Sequence, residues 1–204
     1  LKPYLAGGSA SPRNTSTDET MQQSVQQFEQ ALQDCDGLAD ELLQEAGAGV
    51  QFVSPDVVAD MLVQKDPSLR LIDVRTPEEY IFIGHADMAW NIPLAFQSYE
   101  WDAEINHFKF RPNPDFLINV QAIAGLKDTL LVMCRSGGRS AMAVNALAKA
   151  GFSNVYQITD GMEGDLVEDP ESLFFGQHMK NGWKNSGLPW TYKPIPEHMI
   201  LPRQ

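Results

Sequence analysis

The stretch Cys134-Arg135-Ser136-Gly137-Gly138-Arg139-Ser140 decides how this chain folds. Before it runs Thr129-Leu130-Leu131-Val132-Met133, which reads as a buried strand. After it runs Ala141-Met142-Ala143-Val144-Asn145-Ala146-Leu147-Ala148-Lys149-Ala150, which reads as a helix. A cysteine therefore stands on a tight strand-to-helix turn. Two glycines let the backbone curl, so successive N–H groups can point inward as an anion-binding nest. The helix start adds the positive end of its dipole. Arg135 and Arg139 add fixed charge. Such surroundings favour a thiolate, the nucleophilic form of cysteine. A buried structural cysteine beside an ordinary turn is the alternative, but here glycines, arginines and a helix start converge on one residue.

Working outward, strand and helix signals alternate. Gln51-Phe52-Val53 reads as a short strand, and Ser54 precedes a helix with Pro55 at its first position. Leu69 to Val74 reads as a strand ending near Asp73 and Arg75. Thr76-Pro77-Glu78-Glu79 opens another helix, and Ala89-Trp90-Asn91 begins a further edge or parallel strand. Alternation to the end of the chain predicts a parallel α/β sheet flanked by helices. Ligands in such sheets bind beyond the carboxyl ends of the strands. Cys134, Asp73 and Gly161 each follow a strand, so they can meet at one rim.

Composition limits the functions available. The chain has 204 residues, enough for one sizeable domain and an appendage. A formal net charge of −12 argues against nucleic acid as a partner. No apolar run approaches the length of a membrane span. Two cysteines, Cys35 and Cys134, make no disulfide scaffold. The chain opens on Leu1 rather than Met, which fits a processed or trimmed product. A removed signal peptide would imply the bacterial periplasm, and otherwise the cytoplasm is expected.

The cysteine stretch and three further segments together resemble the rhodanese (sulfurtransferase) family. The first of these runs from Leu71-Ile72-Asp73-Val74-Arg75 through Thr76-Pro77-Glu78-Glu79-Tyr80 to Gly84-His85 and Asn91-Ile92-Pro93-Leu94. The others are Asp160-Gly161-Met162 and Gly182-Trp183-Lys184-Asn185-Ser186-Gly187-Leu188-Pro189. The resemblance covers about residues 50 to 192 and implies the rhodanese-like three-layer fold. It implies that Cys134 takes a sulfane sulfur, holds it as a persulfide and passes it to a nucleophile. Arg135, Ser136, Gly137, Gly138, Arg139 and Ser140 would form the substrate cradle. A small-molecule donor such as thiosulfate and a thiol or cyanide acceptor are the expected partners.

Loop length separates two chemistries on this fold. The spacing Cys134 to Arg139 is Cys-x4-Arg. Phosphatases and arsenate reductases of related fold use Cys-x5-Arg, a larger ring suited to a tetrahedral oxyanion. The shorter ring favours sulfur. Three readings follow: a sulfurtransferase, a persulfide carrier loaded and unloaded by a protein partner, and a phosphatase or arsenate reductase, the last disfavoured by the loop. Asp73 and Arg75 are expected to form an ion pair holding the cysteine loop, with direct substrate contact as the alternative. The family implies a packing role for His85. His107, His178 and His198 lack ligand-like spacing, so neither a metal nor an organic cofactor is expected.

The remaining segments read as additions. Residues 1–16 form a flexible lead rich in Gly, Ser, Pro and Thr. Ser16 with Glu19 signals a helix start, and Met21, Val25, Phe28, Leu32, Cys35, Ala39 and Leu42 form a heptad stripe within a 17–47 helical extension. That helix either lies on the domain surface or mediates a homodimer. Insertions near 97–115 and 164–181 depart from the compact family pattern. The second carries Phe174, Phe175, His178, Met179 and Lys180. It reads either as surface decoration or as a lid that selects the acceptor. A 193–204 tail reads as extended and wrapped over the surface.

Overall fold

The computed structural model describes residues 51–104 and 106–202 of the chain. The 1–16 lead, the 17–47 helix with Cys35, and any homodimer it would mediate lie outside the described residues.

Five parallel strands make the central sheet: β1 (Gln51–Val53), β2 (Leu69–Asp73), β4 (Trp90–Asn91), β7 (Thr129–Met133) and β8 (Asn154–Ile158). Their spatial order is β1-β8-β7-β2-β4, which puts β7 in the middle. Register follows the apolar runs, with Leu71 opposite Leu131 and Leu131 opposite Tyr156. Strand side chains alternate between faces. Leu130, Val132 and Cys134 therefore join one core cluster, with Ile72, Met142, Val144 and Leu147. Leu131 and Met133 join the other, with Val58, Tyr80, Ile158 and Trp183. Each fully buried aliphatic or aromatic side chain contributes about 1.5–3 kcal/mol of transfer free energy.

Helices cover both faces. α1 (Pro55–Val63) and α2 (Pro77–Ile83) supply Val58 and Tyr80 to one cluster. α3 (Phe116–Gln121) and α4 (Gly138–Lys149) supply Phe116, Val120 and Leu147 to the other. α2 begins with a full capping box: Thr76 Oγ1 accepts from Glu79 N–H and Glu79 Oε2 accepts from Thr76 N–H. At α1, Ser54 is the N-cap residue but its side chain makes no cap bond. No described helix is long and apolar enough to cross a membrane.

Two features depart from the sequence expectations, and the tail gains a defined anchor. The aromatic 97–115 segment lies largely in an antiparallel hairpin, β5 (Ala95–Asp102) and β6 (His107–Pro112), with an irregular register between Gln97 and Trp101. Nothing in its composition resembles a two-residue hairpin turn, so the pairing was not legible. Strand–helix alternation also stops after β8. Beyond it come two 3-10 turns and β9 (Trp190–Thr191), which pairs antiparallel with β3 (His85–Ala86). Finally, the tail is anchored at the sheet edge. Ile200 N–H donates to Asn91 O at 2.9 Å, and His198 stacks on Trp90.

Candidate active site

Cys134 follows the last residue of the central strand and is only 1% exposed. Four residues separate β7 from α4, so the chain turns sharply beneath the helix N-terminus. Gly137 takes φ +126°, a conformation that suits glycine. That turn sends the Gly137 N–H to Cys134 Sγ at 3.1 Å. Ser140, one turn into the helix, places its hydroxyl 3.4 Å from the same sulfur. The Ser140 hydroxyl also donates to Gly137 O at 2.8 Å. It can therefore accept from a Cys134 thiol, and can turn to donate to a thiolate. The sulfur meets a backbone donor, a rotatable hydroxyl and a helix start.

Two supports outside the loop hold this turn. Gln157 is buried on β8 and donates from Nε2 to Gly137 O at 2.9 Å. Gly137 O also accepts from Ala141 N–H, so three donors keep it turned toward the helix. Below the loop, Met162 N–H donates to Cys134 O at 2.8 Å and Glu163 N–H to Arg135 O at 3.0 Å. The approach needs Gly161, because a Cβ there would stand 2.6 Å from the carbonyl oxygens of Cys134 and Arg135.

The two loop arginines take different places. Arg135 is 38% exposed at the rim and donates from Nε to Glu163 at 2.8 Å. Arg139 was expected to add charge to the cradle; its guanidinium instead turns away to Glu79. The contact is bidentate, at 2.6 and 2.7 Å, with Phe110 of the hairpin 5.2 Å from the guanidinium carbon. Burial opposes ionisation of Glu79. The Arg139 guanidinium, with Arg75 and the Thr76 N–H, nonetheless pulls its carboxyl down to about 2.

Asp73 and Arg75 form a fully buried ion pair at 2.6 Å. Burial works against the Arg75 charge, but Asp73 outweighs it and the guanidinium is held above its ordinary value. The expectation that this pair grips the cysteine loop needs correction: Arg75 Nη2 donates onward to Gly84 O, tying the end of β2 to the turn after α2. Arg75 also lies within the electrostatic reach of both Glu79 and Arg139. Both side chains are fully buried. His85 is buried and stacked on Tyr80, 3.7 Å between ring centres.

The 164–181 segment lies beside Arg135 and Ser136 at the start of the cysteine loop. Leu166 bridges to His178 and Val167 to Phe175, which folds the segment back on itself. Asp165, Glu168, His178 and Lys180 from this segment line a cleft of about 400 Å³ together with Arg135 and Ser136. Partial burial and neighbouring Asp165 raise the Asp160 carboxyl at this edge, against the pull of Lys180. Phe174, Phe175 and Met179 are exposed, and Leu173 is 93% exposed.

Glu79, Gln157 and Glu163 carry the loop, yet sequence reasoning did not place them in the site. Glu79 was legible only as a helix cap. Gln157 left one usable signal, a polar residue inside the otherwise apolar strand Val155-Tyr156-Gln157-Ile158.

Residues 54–166 match the Rhodanese-like domain family. The chain belongs to that family, a sulfurtransferase family. An uncharacterized protein of Rickettsia conorii is 30% identical over 145 residues, which cover 70% of this chain and 98% of that protein. Thiosulfate sulfurtransferase 16, chloroplastic, of Arabidopsis thaliana is 38% identical over 109 residues, 53% of this chain and 81% of its own length. Among solved structures, Rv0390 from M. tuberculosis aligns with a TM-score of 0.53 and 26% identity, covering 70% of this chain and all of that one. The rhodanese-like character and the central parallel sheet expected from the cysteine stretch are thus both shown.

Proposed function

We propose that this rhodanese-like protein is a sulfurtransferase that carries a sulfane sulfur as a persulfide on Cys134. The observation that carries the reading is the Gly137 N–H aimed at Cys134 Sγ beneath the N-terminus of α4. A thiolate held there attacks the outer sulfur of a donor such as thiosulfate. The new S–S bond forms as the donor's own S–S bond breaks, and sulfite leaves with the electron pair. The persulfide's terminal sulfur is anionic, and loop N–H groups stabilise it as an oxyanion hole stabilises oxygen. A thiol or cyanide then takes that sulfur and returns the pair to Sγ. The name of the Arabidopsis relative supports thiosulfate as donor.

The Cys-x4-Arg spacing and the engagement of Arg139 by Glu79 both weigh against phosphoryl transfer. A phosphate would need an arginine facing into the loop, and that guanidinium is committed elsewhere. A second reading, a carrier loaded and unloaded by a partner protein, is favoured by the exposed apolar residues Leu173, Phe174 and Phe175 of the 164–181 segment. One experiment tests the proposal. The protein is incubated with thiosulfate and its intact mass measured, then cyanide is added and thiocyanate followed. A gain of one sulfur on Cys134 and steady thiocyanate turnover are expected. Sulfur gain without turnover would favour the carrier. No gain would overturn the sulfurtransferase reading with thiosulfate as donor.

A further inference from the structure

A groove of about 490 Å³ opens where the strands begin, at the end of the sheet opposite the cysteine loop. Its apolar wall comes from Met61 and Leu62 of α1 and from Met88 and Trp90 at the start of β4. Met88 is 38% exposed, and Val63, at the adjoining end of α1, is 78% exposed. Exposed apolar surface with a polar rim marks an interaction site. The rim here is positive on balance, with Lys65 and Arg70 against Asp66. Asp66 is already engaged by the Ser68 N–H and hydroxyl, at 2.8 Å each. The Lys65 ammonium makes no hydrogen bond or salt bridge among the described residues, and the Arg70 guanidinium donates only to backbone carbonyls. Such a rim stands out in a chain of net charge −12.

The chain's own N-terminal segment matches this groove in charge and in reach. Residues 17–46 hold eight acidic side chains and no lysine or arginine. Glu29 and Asp36 each follow a residue of the apolar stripe, so the flank of the stripe is acidic. Gln51, Leu69 and Trp90 are the first residues of parallel strands β1, β2 and β4, so the segment joins the sheet at the end where the groove lies. In the strand order β1-β8-β7-β2-β4, β2 stands three spacings from β1, roughly 14 Å. A helix over 17–46 would run about 45 Å, enough to cross every strand end. Gly47 and Gly49 allow the sharp turn this needs.

We propose that the 17–46 segment docks its apolar stripe in this groove, as an intramolecular strap across the N-terminal ends of the strands. The short tether gives the segment a local concentration on the order of millimolar, so it fills its own groove before that of another copy. Cys134 follows the opposite end of β7, so the strap leaves the cysteine loop open.

Cys35 reports on the docking because it lies within the stripe, and the other cysteine, Cys134, is told apart by peptide mass. The full chain is pulsed with iodoacetamide, and alkylation of Cys35 is followed in water and in urea. Docked, Cys35 should react at least about tenfold more slowly in water than in urea. Met88→Asp sets a charge against the stripe and should speed the reaction in water about tenfold. Lys65→Glu should speed it roughly two- to fivefold, the worth of an exposed charge contact. Lys65 is exposed, so this second variant keeps the fold, and a melting curve checks both. Equal rates in water and urea would overturn the inference. Protection that neither substitution moves would also overturn it, since the stripe would then dock elsewhere. Protection that grows with protein concentration, together with a dimer in sedimentation, would give the stripe to a second copy and overturn the strap as well.

Discussion

Gly161 lies so close under Cys134 that a single added carbon would stand 2.6 Å from the Cys134 carbonyl oxygen. That oxygen also accepts the Met162 N–H at 2.8 Å, so the turn after β8 clamps the loop from below. Gly161→Ala should be damaging on two counts. Its φ of +60° is a left-handed conformation, and the added carbon meets backbone rather than a yielding side chain. Backbone strain of this kind costs about 1–3 kcal/mol. Thermal unfolding should fall by roughly 2–4 °C per kcal/mol. Sulfur loading should fall further than stability does, because the loop must move to make room. A variant with wild-type melting and loading would show that the clamp is not needed.

Cys134→Ser should keep the fold and lose sulfur transfer. The serine oxygen can accept the Gly137 N–H and sit beside the Ser140 hydroxyl, so no buried polar group is stranded. It cannot ionise at neutral pH or form a persulfide. Intact mass after thiosulfate and a melting curve check both halves. Sulfur gain by the variant would move the carrier elsewhere.

The sequence made the sheet and the cysteine turn legible because both are local. An apolar run, two glycines and a helix start occupy adjacent positions from Thr129 to Ala150, and their chemistry needs no distant partner. What it concealed are the residues that reach the loop across the fold. Glu79 and Arg139 are separated by 60 positions, and each has a sufficient local explanation, one as a cap and the other as part of a basic loop. Their bidentate pairing exists only once α2 and α4 pack side by side. The 95–112 hairpin was missed for a related reason. Its register is irregular and its aromatics Tyr99, Trp101 and Phe108 are exposed, so no clean alternation marks it.

The Glu79–Arg139 pair should give the protein an acid limb. The Glu79 carboxyl is depressed in the fold from 4.5 to about 2. A depressed acid stabilises the fold fully above its unfolded value, and that contribution is lost as pH falls through the folded value. The window is therefore pH 4.5 down to about 2. With 19% of the side chain still meeting solvent, the contribution at neutral pH is on the order of 2 kcal/mol. Glu79→Gln should lose it and leave the Arg139 charge poorly paired, lowering stability by about 2–4 kcal/mol at pH 7. Urea unfolding at pH 7 and pH 3 should show the gap between wild type and variant narrowing in acid. A gap that stays constant across this range would mean that the pair is not what titrates.

Gln157 separates catalytic positioning from stability. It is 2% exposed in an apolar strand, and its Oε1 finds no hydrogen-bond partner among the described residues. An unpaired buried acceptor is costly, about 1–3 kcal/mol, so a residue chosen for stability alone would be apolar. Its amide nitrogen instead holds Gly137 O at 2.9 Å, on the carbonyl side of the residue whose N–H reaches Cys134 Sγ. Turned the other way, that carbonyl would face the sulfur and repel negative charge. Gln157→Leu removes one of three donors to Gly137 O and also removes the orphan acceptor. Stability should therefore change little or rise. The rate constant for persulfide formation should fall about three- to tenfold, matching the loss of about 0.5–1.5 kcal/mol of hydrogen bonding at the turn. Gln157→Asn, shorter by one methylene, should not rescue it, since its amide falls short of Gly137. Melting temperature and single-turnover loading by thiosulfate, measured on the same preparations, decide the matter. If rate and stability fall together in Gln157→Leu, the glutamine is an ordinary part of the core. If the rate falls alone, it sets the turn that aims the N–H at the sulfur.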